Sequence, residues 1–358
     1  MTKLDFAIID PHIHQWDPYH TPHSAALLVK ALGKYPAVMD QVVRWVKPKP
    51  LLETIGRTDD VLNPYLPEHY RADLGTFSAE SVVHVEANWH HHKGFGVVEE
   101  TTWLQQLDFN SQGLKLGAIV ATADPRDRKF KDILKAHQDA SPKFCGIRKM
   151  AAWHQDKGVY RWCDRPHLYQ NKSFLKGFEQ LAKLDLSFDA WGYSTQLLEI
   201  TSLAKQFPET RIVVDHLATP VGLFGAVGKK TGKTLAQRNA IFKQWQQDIA
   251  QLAEQKNVHA KISGLMMPVL GHTYYKQHRT ATIAEMVNVL TPLIQHAIQV
   301  FGLDRVMFAS NFPMDKPNTT LNDLIHAYIQ MIAPYGEQAL YSVFKQNAAN
   351  FFQLPLEP

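Results

Sequence analysis

Phe6-Ala7-Ile8-Ile9-Asp10-Pro11-His12-Ile13-His14 is an apolar run that ends in charged and polar side chains. Side chains alternate between the two faces of an extended strand, so Asp10, His12 and His14 are expected to point the same way. The stretch therefore predicts a buried strand whose carboxyl end carries two neighbouring imidazoles. Such a pair can bind a divalent metal, or it can polarise a carbonyl group and hold a water molecule without one.

Seven further segments repeat this pattern of apolar or β-branched residues followed by polar or small ones. They are residues 81–89, 114–123, 144–150, 186–193, 210–218, 258–265 and 305–313. Segments with the apolar spacing of helices lie between them, such as Phe174-Leu175-Phe178-Leu181-Ala182 and Ile283-Met286-Val287-Leu290. Eight strands alternating with helices predict an α/β fold of the parallel (β/α)8 barrel type. A doubly wound open sheet would need a glycine-rich first turn, where this chain has Asp10-Pro11-His12.

A barrel of this kind takes about 250 residues, so we expect a single barrel domain over residues 1–358 with insertions. The longest insertion, residues 15–80, follows the first strand and is therefore expected to lie over the active face. It contains a candidate amphipathic helix within residues 37–46 and a loop at residues 63–67. Two interpretations stay open, a lid that contributes substrate contacts and a cap without catalytic residues.

The charge and the loop motifs argue against several classes of partner. An excess of 38 basic over 34 acidic residues is small and spread along the chain, which argues against nucleic acid binding. A phosphate loop that ended in Gly232-Lys233-Thr234 would need glycine at position 227, which is Val227. No run is apolar for long enough to cross a membrane. The partner that remains is a small-molecule substrate.

Cysteine usage and the start of the chain predict the cellular compartment. Cys145 and Cys163 make no disulfide framework, and the first residues lead into a strand without room for a signal peptide. We therefore expect a cytoplasmic protein. The apolar insertion and helices near residues 319–333 are candidates for a homo-oligomer surface, or they pack on the barrel.

Catalytic groups of such barrels lie at the carboxyl ends of the strands. Polar side chains occur at most of the predicted strand ends, which packing of aliphatic strands alone would not require. These side chains are therefore the candidates. They are Asp10, His12, His14, His84, Glu86, Asn88, Arg148, Asp189, Asp215, His216, Lys261, Ser263, Ser310, Asn311 and Asp315. We interpret Ser263, Asp215 and Asn88 as satisfied polar groups of the core, and His84 as a buried structural histidine in mid-strand.

Aromatic and histidine-rich stretches follow several of these ends. His90-His91-His92 predicts a solvated loop, because consecutive side chains diverge too far to share a metal. Trp16, Trp89, Trp153 and Trp191 fall at or just beyond strand ends. Core packing is their default role, but one or two of them would also hold a ring-shaped substrate well.

Five motifs in order resemble the second amidohydrolase family. They are Asp10-x-His12-x-His14, Val85-Glu86-Ala87, Gly146-Ile147-Arg148, Asp215-His216-Leu217 and Ser310-Asn311-Phe312-Pro313. The likeness runs from residue 6 to about residue 353, where Asn347-Ala348-Ala349-Asn350-Phe351 is similar to the family's closing helix. The branch it resembles holds lactone hydrolases of the pyrone-dicarboxylate and sugar-lactone type.

This resemblance implies a hydrolytic water surrounded by His12, His14 and His216, with an eighth-strand carboxylate as the proton acceptor. The familiar eighth-strand motif is Ser-Asp-Trp-Pro, and Asn311 occupies the place of its acid. A neutral amide cannot accept that proton. We favour Asp315, which resembles a variant branch with a nearby aspartate. Alternatively, Asn311 orients water while Glu86 or Asp189 is the base, and Asp315 is a helix N-cap.

The resemblance leaves the metal open. Metal-rich relatives place a lysine or acid on the fourth strand and a histidine on the fifth, where this chain has Arg148 and Asp189. One divalent ion, zinc, on His12, His14 and His216 is one expectation, and a metal-free site is the other. Arg148 suits bidentate capture of a substrate carboxylate, or it forms an ion pair with Asp189 or Asp215.

The sequence thus predicts a hydrolase that opens a lactone or related carbonyl substrate, with His12, His14, His216 and Asp315 as catalytic residues. Substrate contacts are expected from Arg148, Glu86, Asp189, Asn311 and Trp191. A zinc-dependent nonoxidative decarboxylase of an aromatic or unsaturated acid is the alternative. A catalytically inactive barrel that binds a small molecule is the third hypothesis.

Overall fold

The computed structural model describes residues 4–22 and 26–356, except for the side chains of residues 26, 28, 36 and 37. Residues 23–25 of the predicted insertion and residues 1–3 of the predicted leaderless start lie outside the described residues. Eight parallel strands form one sheet in sequence order. They are β1 (Ile8–Ile13), β2 (Ala79–Val85), β3 (Lys115–Thr122), β4 (Phe144–Arg148), β5 (Ser187–Ala190), β6 (Ile212–Val214), β7 (Val258–Ile262) and β8 (Val306–Phe308). The predicted (β/α)8 barrel is confirmed.

The observed strands are shorter than the predicted segments, because the polar ends of those segments leave the sheet. β6 ends at Val214, and residues Asp215–Ala218 form a turn with a left-handed backbone at His216, Leu217 and Ala218 instead of continuing the strand. β8 ends at Phe308, before the predicted Ser310-Asn311-Phe312-Pro313 motif. The motifs therefore occupy the loops at the mouth of the barrel.

Fourteen α-helices lie in the described ranges. They are α1 (Ala26–Leu32), α2 (Pro36–Val46), α3 (Lys49–Ile55), α4 (Asp59–Leu62), α5 (Pro67–Asp73), α6 (Val98–Leu104), α7 (Phe130–Ala140), α8 (Lys172–Lys183), α9 (Leu197–Gln206), α10 (Leu235–Ala253), α11 (Ile283–Phe301), α12 (Leu321–Ile332), α13 (Glu337–Tyr341) and α14 (Asn347–Phe352). The predicted helices of residues 174–182 and 283–290 are α8 and α11. None of the helices in these ranges has both the length and the apolar character that crossing a membrane requires.

The two faces of the barrel strands pack against different partners. Ile8, Val82 and Phe188 belong to the large core between the sheet and the surrounding helices. Ile9 and Val83, one residue further along, belong to a smaller cluster inside the barrel that the C-terminal helix α14 completes with Phe351 and Phe352. The alternation along β2 thus separates the interior of the barrel from the helix layer, whereas a register shift between Asp10 and Ile13 interrupts it in β1, so that Ile13 packs in the outer core although Ile9 lies inside.

The barrel closes between β1 and the segment after β8. The backbone N–H of Asn311 donates to the carbonyl of His12 (2.8 Å), and that of His14 donates to Phe312 (2.9 Å). Below them, the carboxyl of Asp10 accepts from the Ser310 backbone N–H at 2.9 Å. These bonds place the end of β1 directly beside the eighth-strand motif.

The insertion after β1 is helical and contains α1 to α5, and α2 confirms the predicted helix there. Trp16 and Tyr65 exchange backbone hydrogen bonds of 3.0 and 2.9 Å, which tie the segment before α5 to the start of the insertion. From α5, the Tyr70 hydroxyl donates to Asp10 Oδ2 at 2.8 Å. The ammonium of Lys316, in the loop after β8, pairs with Asp73 at 2.7 Å. The insertion therefore fastens across the β1–β8 junction.

The Tyr70→Phe variant tests the contribution of this junction to stability. It removes a donor to the fully buried Asp10 carboxyl, so we expect the free energy of unfolding to fall by about 1–3 kcal/mol. Urea denaturation of both proteins measures the difference. Tyr193→Phe is the matched control, because its buried hydroxyl donates to a neutral carbonyl, that of Tyr160. If Tyr70→Phe lowered the free energy of unfolding no more than Tyr193→Phe, the hydrogen bond to Asp10 would contribute no more than one to a neutral carbonyl.

Candidate active site

His12 lies at the centre of the barrel mouth and is fully buried. Its Nδ1 is 3.2 Å from the ammonium of Lys261 and 3.3 Å from Asp215 Oδ1. Its Nε2 is 3.3 Å from Nη1 of Arg148. Burial, and then the charges of Lys261 and other neighbours, lower the pKa of His12 well below its usual range. The imidazole is therefore neutral at physiological pH.

Lys261, in β7, and two carboxylates form a buried charge cluster beside His12. The ammonium contacts Asp189 Oδ2 closely and lies 3.2 Å from Asp215 Oδ1, and all three side chains are fully buried. Burial raises the pKa of Asp189, although the charge of Lys261 acts in the opposite direction. Lys261 and Asp215 are both candidates at strand ends, but no motif in the sequence indicates their contact with His12.

Arg148 is held by Glu86. Its Nε donates to Glu86 Oε1 at 2.8 Å, and its Nη2 donates to the Glu86 carbonyl at 2.9 Å. Nη1 remains directed at His12 and lies 3.8 Å from Asp215 Oδ2. Most of the guanidinium fork is therefore occupied by Glu86, and a bidentate clamp on a substrate would require that ion pair to open.

His216 follows β6 with a left-handed backbone, at φ 56°. Its Nδ1 lies 2.8 Å from the Ser263 hydroxyl, and its ring centroid is 4.6 Å from that of His12. A Cβ on Gly264 would come within 2.5 Å of the His216 ring. Gly264 is therefore required for the ring position, a dependence that no motif indicated.

His14 begins a chain of contacts that ends at Asp315. Its Nδ1–H donates to the Val85 carbonyl at 2.8 Å. The neutral ring therefore has its lone pair on Nε2, which lies 3.3 Å from the Asn311 amide oxygen, a contact between two acceptors and not a hydrogen bond. The Asn311 amide nitrogen donates to Asp315 Oδ2 at 3.3 Å. Burial lowers the pKa of His14 to about 3. The first-strand and eighth-strand motifs thus meet through Asn311.

Asp315 is fully buried and also accepts from the Met266 backbone N–H at 2.8 Å. Burial raises the pKa of its carboxyl to about 8, and no basic side chain among the described residues contributes to that pKa. Glu86 and Asp189, the other two candidate bases, are each paired with a cation. The N-cap interpretation of Asp315 is wrong, because Thr320 caps the following helix α12.

Trp191 covers one side of the cluster. Its ring centroid is 5.6 Å from the Arg148 guanidinium carbon and 5.9 Å from the His216 ring. On the other side, Trp16 of the insertion stacks on His14 at 6.5 Å. His12, His14, Arg148 and His216 are each at most 5% exposed. The four side chains are therefore almost completely shielded from solvent in this structure.

Other candidates have different surroundings. His84 is fully buried, 3.4 Å from Glu100, which confirms the interpretation of a buried histidine. The loop His90–His92 is exposed, as predicted. Asn88 is exposed with φ 59°, so its assignment to the core is wrong; the turn after β2 carries its side chain outward. Ser263 and Asp215 are fully buried, but both contact the histidine cluster.

Comparison with known proteins identifies the family of this chain. A family model described as amidohydrolase (Amidohydro_2) matches residues 9–354. The chain belongs to the amidohydrolase family. The resemblance of the five motifs is therefore confirmed, and membership makes the protein an enzyme of hydrolase or lyase type.

This amidohydrolase is similar in sequence to two known proteins and in fold to a solved structure. The uncharacterized protein y4mH of Sinorhizobium fredii is 29% identical over 353 residues, 98% of this chain and 99% of that protein. An L-fucono-1,5-lactonase of Burkholderia ambifaria is 26% identical over 261 residues, 72% of this chain and 76% of its own. A Burkholderia multivorans amidohydrolase with bound zinc covers 98% of this chain and 100% of its own, at a TM-score of 0.68 and 18% identity. That likeness shows the fold.

One group in the described part of this amidohydrolase has the donors of a metal site, namely His12, Asp215 and His216, with ligand atoms within 4.8 Å of one another. Nitrogen and carboxylate donors of this kind suit a divalent metal. The surrounding charge does not, because the Lys261 ammonium lies 3.2 Å from both His12 Nδ1 and Asp215 Oδ1.

The stability of Asp315→Asn as a function of pH tests the protonation state of Asp315. Its pKa is about 8 in the folded protein against an ordinary value of 3.8. Between these values the folded protein keeps a proton that the unfolded chain releases, so wild-type stability falls as pH rises, by up to about 1.4 kcal/mol per pH unit. The asparagine variant lacks this contribution and should gain relative to wild type between about pH 5 and about pH 8 in urea denaturation.

Asp124→Asn is the control for this measurement. Asp124 has a pKa lowered to about 2 by its partners Arg126 and Lys149 against burial, so it does not titrate between about pH 5 and about pH 8. Its stability difference from wild type should stay constant in that range. A constant difference for Asp315→Asn as well would mean that Asp315 is ionised in the folded protein.

Proposed function

We propose that this amidohydrolase opens a cyclic ester by attack of water at the barrel mouth. The observation that carries the proposal is the convergence of three neutral histidines and Nη1 of Arg148 beside Asp315, a buried carboxyl without a basic partner among the residues that the structure describes. Carbonyl hydrolysis needs groups that polarise the carbonyl, groups that hold water and a group that accepts a proton. These side chains supply all three.

In the proposed reaction, the oxygen of water bonds to the lactone carbonyl carbon while Asp315 accepts a proton from that water. His14 is suited to hold the water, because its Nε2 carries a lone pair. Arg148 Nη1, next to His12, is suited to stabilise the negative charge that develops on the carbonyl oxygen. The bond from carbon to ring oxygen then breaks, and the ring oxygen takes a proton from Asp315 to give a hydroxy acid.

Substrate selection is assigned to the side chains around this centre. Trp191 offers an aromatic face to a ring, and Asn311 lies between His14 and Asp315, where it can orient the water. Glu86 fixes Arg148, and Asp189 fixes Lys261. The L-fucono-1,5-lactonase among the relatives supports a lactone as the substrate class.

A panel of sugar lactones and a pyrone carboxylate tests this proposal, with ring opening followed by acid release in a weakly buffered indicator assay. We expect hydrolysis whose kcat/KM rises with pH up to about 8, where Asp315 loses its proton. Asp315→Asn should lower kcat/KM by about 10²–10⁴-fold. Asp156→Asn is the control. Asp156 accepts hydrogen bonds from the backbone of Lys229 and Lys230 and has no role in the proposed reaction.

Three results would contradict the proposal. Full activity of Asp315→Asn would remove Asp315 from the mechanism. Metal-dependent release of carbon dioxide from an aromatic or unsaturated acid, without lactone opening, would support the decarboxylase instead. Tight lactone binding without turnover would support the binding barrel.

A further inference from the structure

Lys261 has no part in the reaction proposed above, yet it is one of the largest fully buried side chains. Its ammonium contacts Asp189 Oδ2 and lies 3.2 Å from both Asp215 Oδ1 and His12 Nδ1. A buried ammonium is costly without partners, and three polar atoms surround this one. The side chain is therefore held in place at the barrel mouth by these contacts.

Two of the three atoms around the ammonium belong to residues with the donors of a metal site. His12 and Asp215 form that group with His216. A metal ion needs the lone pairs of its ligands, and here lone pairs of His12 or Asp215 are directed at a cation. Like charges also repel strongly in a buried site, where water does not screen them.

Arg148 adds a second positive charge on the opposite nitrogen of His12. Its Nη1 lies 3.3 Å from His12 Nε2 and 3.8 Å from Asp215 Oδ2. Each ring nitrogen of His12 thus faces a cationic donor. A divalent ion bound to this group would meet a fixed positive charge whichever nitrogen it used.

We propose that Lys261 takes the electrostatic place of a divalent metal in this chain and keeps such metals from binding to His12, Asp215 and His216. The ammonium neutralises the two buried carboxylates that would otherwise attract a cation. This inference rests on the contacts of Lys261 and does not depend on the proposed function.

Replacement of Lys261 by methionine should create a metal site. The variant leaves Asp189 and Asp215 buried without their shared cation, and unpaired buried charge favours binding of another cation. Zinc affinity is measured by competition with a chromophoric chelator on full-length protein dialysed free of metal. We expect Lys261→Met to bind one zinc ion at least tenfold more tightly than wild type.

Lys345→Met is the matched control, because Lys345 is also a buried lysine paired with a carboxylate, Glu80, away from the histidines. Its zinc affinity should equal that of wild type. The gain should disappear in the double variant Lys261→Met/His216→Ala. Equal zinc affinity of wild type and a folded Lys261→Met would overturn the proposal, as would a gain that persists in the double variant.

Wild type and His216→Ala give a second test in case Lys261→Met does not fold, which circular dichroism would show. If Lys261 excludes metal, the two proteins should bind zinc equally weakly. A loss of zinc affinity of tenfold or more in His216→Ala would show an open metal site in the presence of Lys261, and the proposal would fail. Lactone turnover is not part of either test, so this outcome is independent of the proposed reaction.

Discussion

The junction between β1 and the segment after β8 is the contact on which the candidate site depends. Asp10 accepts from the backbone of Ser310 and His12 and from the Tyr70 hydroxyl, so one buried carboxyl joins both ends of the barrel and the insertion. Directly above it, backbone bonds join His12 to Asn311 and His14 to Phe312. The two histidines and the Asn311 amide are therefore positioned by the same bonds that close the barrel.

Burial controls the chemistry of the site once the junction has formed. The charged cluster has cations on both sides of His12 and a carboxylate beside each cation, so its charges are compensated inside the protein. The same burial lowers the pKa values of His12, His14 and His216 and raises that of Asp315. Neutral histidines and a carboxyl that titrates near physiological pH are thus consequences of one cause, the burial of these side chains away from water.

The sequence predicted the parts of this structure that depend on local pattern. Apolar runs gave all eight strands, and the period of two in the first run placed His12 and His14 together, with ring centroids 5.0 Å apart. Contacts between distant strands were harder to predict. Nothing in the pattern of β7 distinguishes Lys261 from a solvated lysine, and the need for Gly264 is visible only when the His216 ring lies against it. The prediction for Asn88 was wrong because it assumed the strand alternation of His84 and Glu86, whereas β2 ends at Val85 and the chain turns before Asn88.

The backbone at the mouth explains why these strands end where they do. His216 and Asn311 both have a left-handed backbone, with φ of 56° and 59°, a conformation that is uncommon outside glycine but that asparagine and histidine adopt more often than most residues. A continued strand would have turned their side chains away from His12 and His14. The left-handed turns bring them back over the barrel axis, and the surroundings hold them there, through Ser263 for His216 and Asp315 for Asn311. The left-handed backbone at these two positions therefore allows the side chains that follow β6 and β8 to face those of β1.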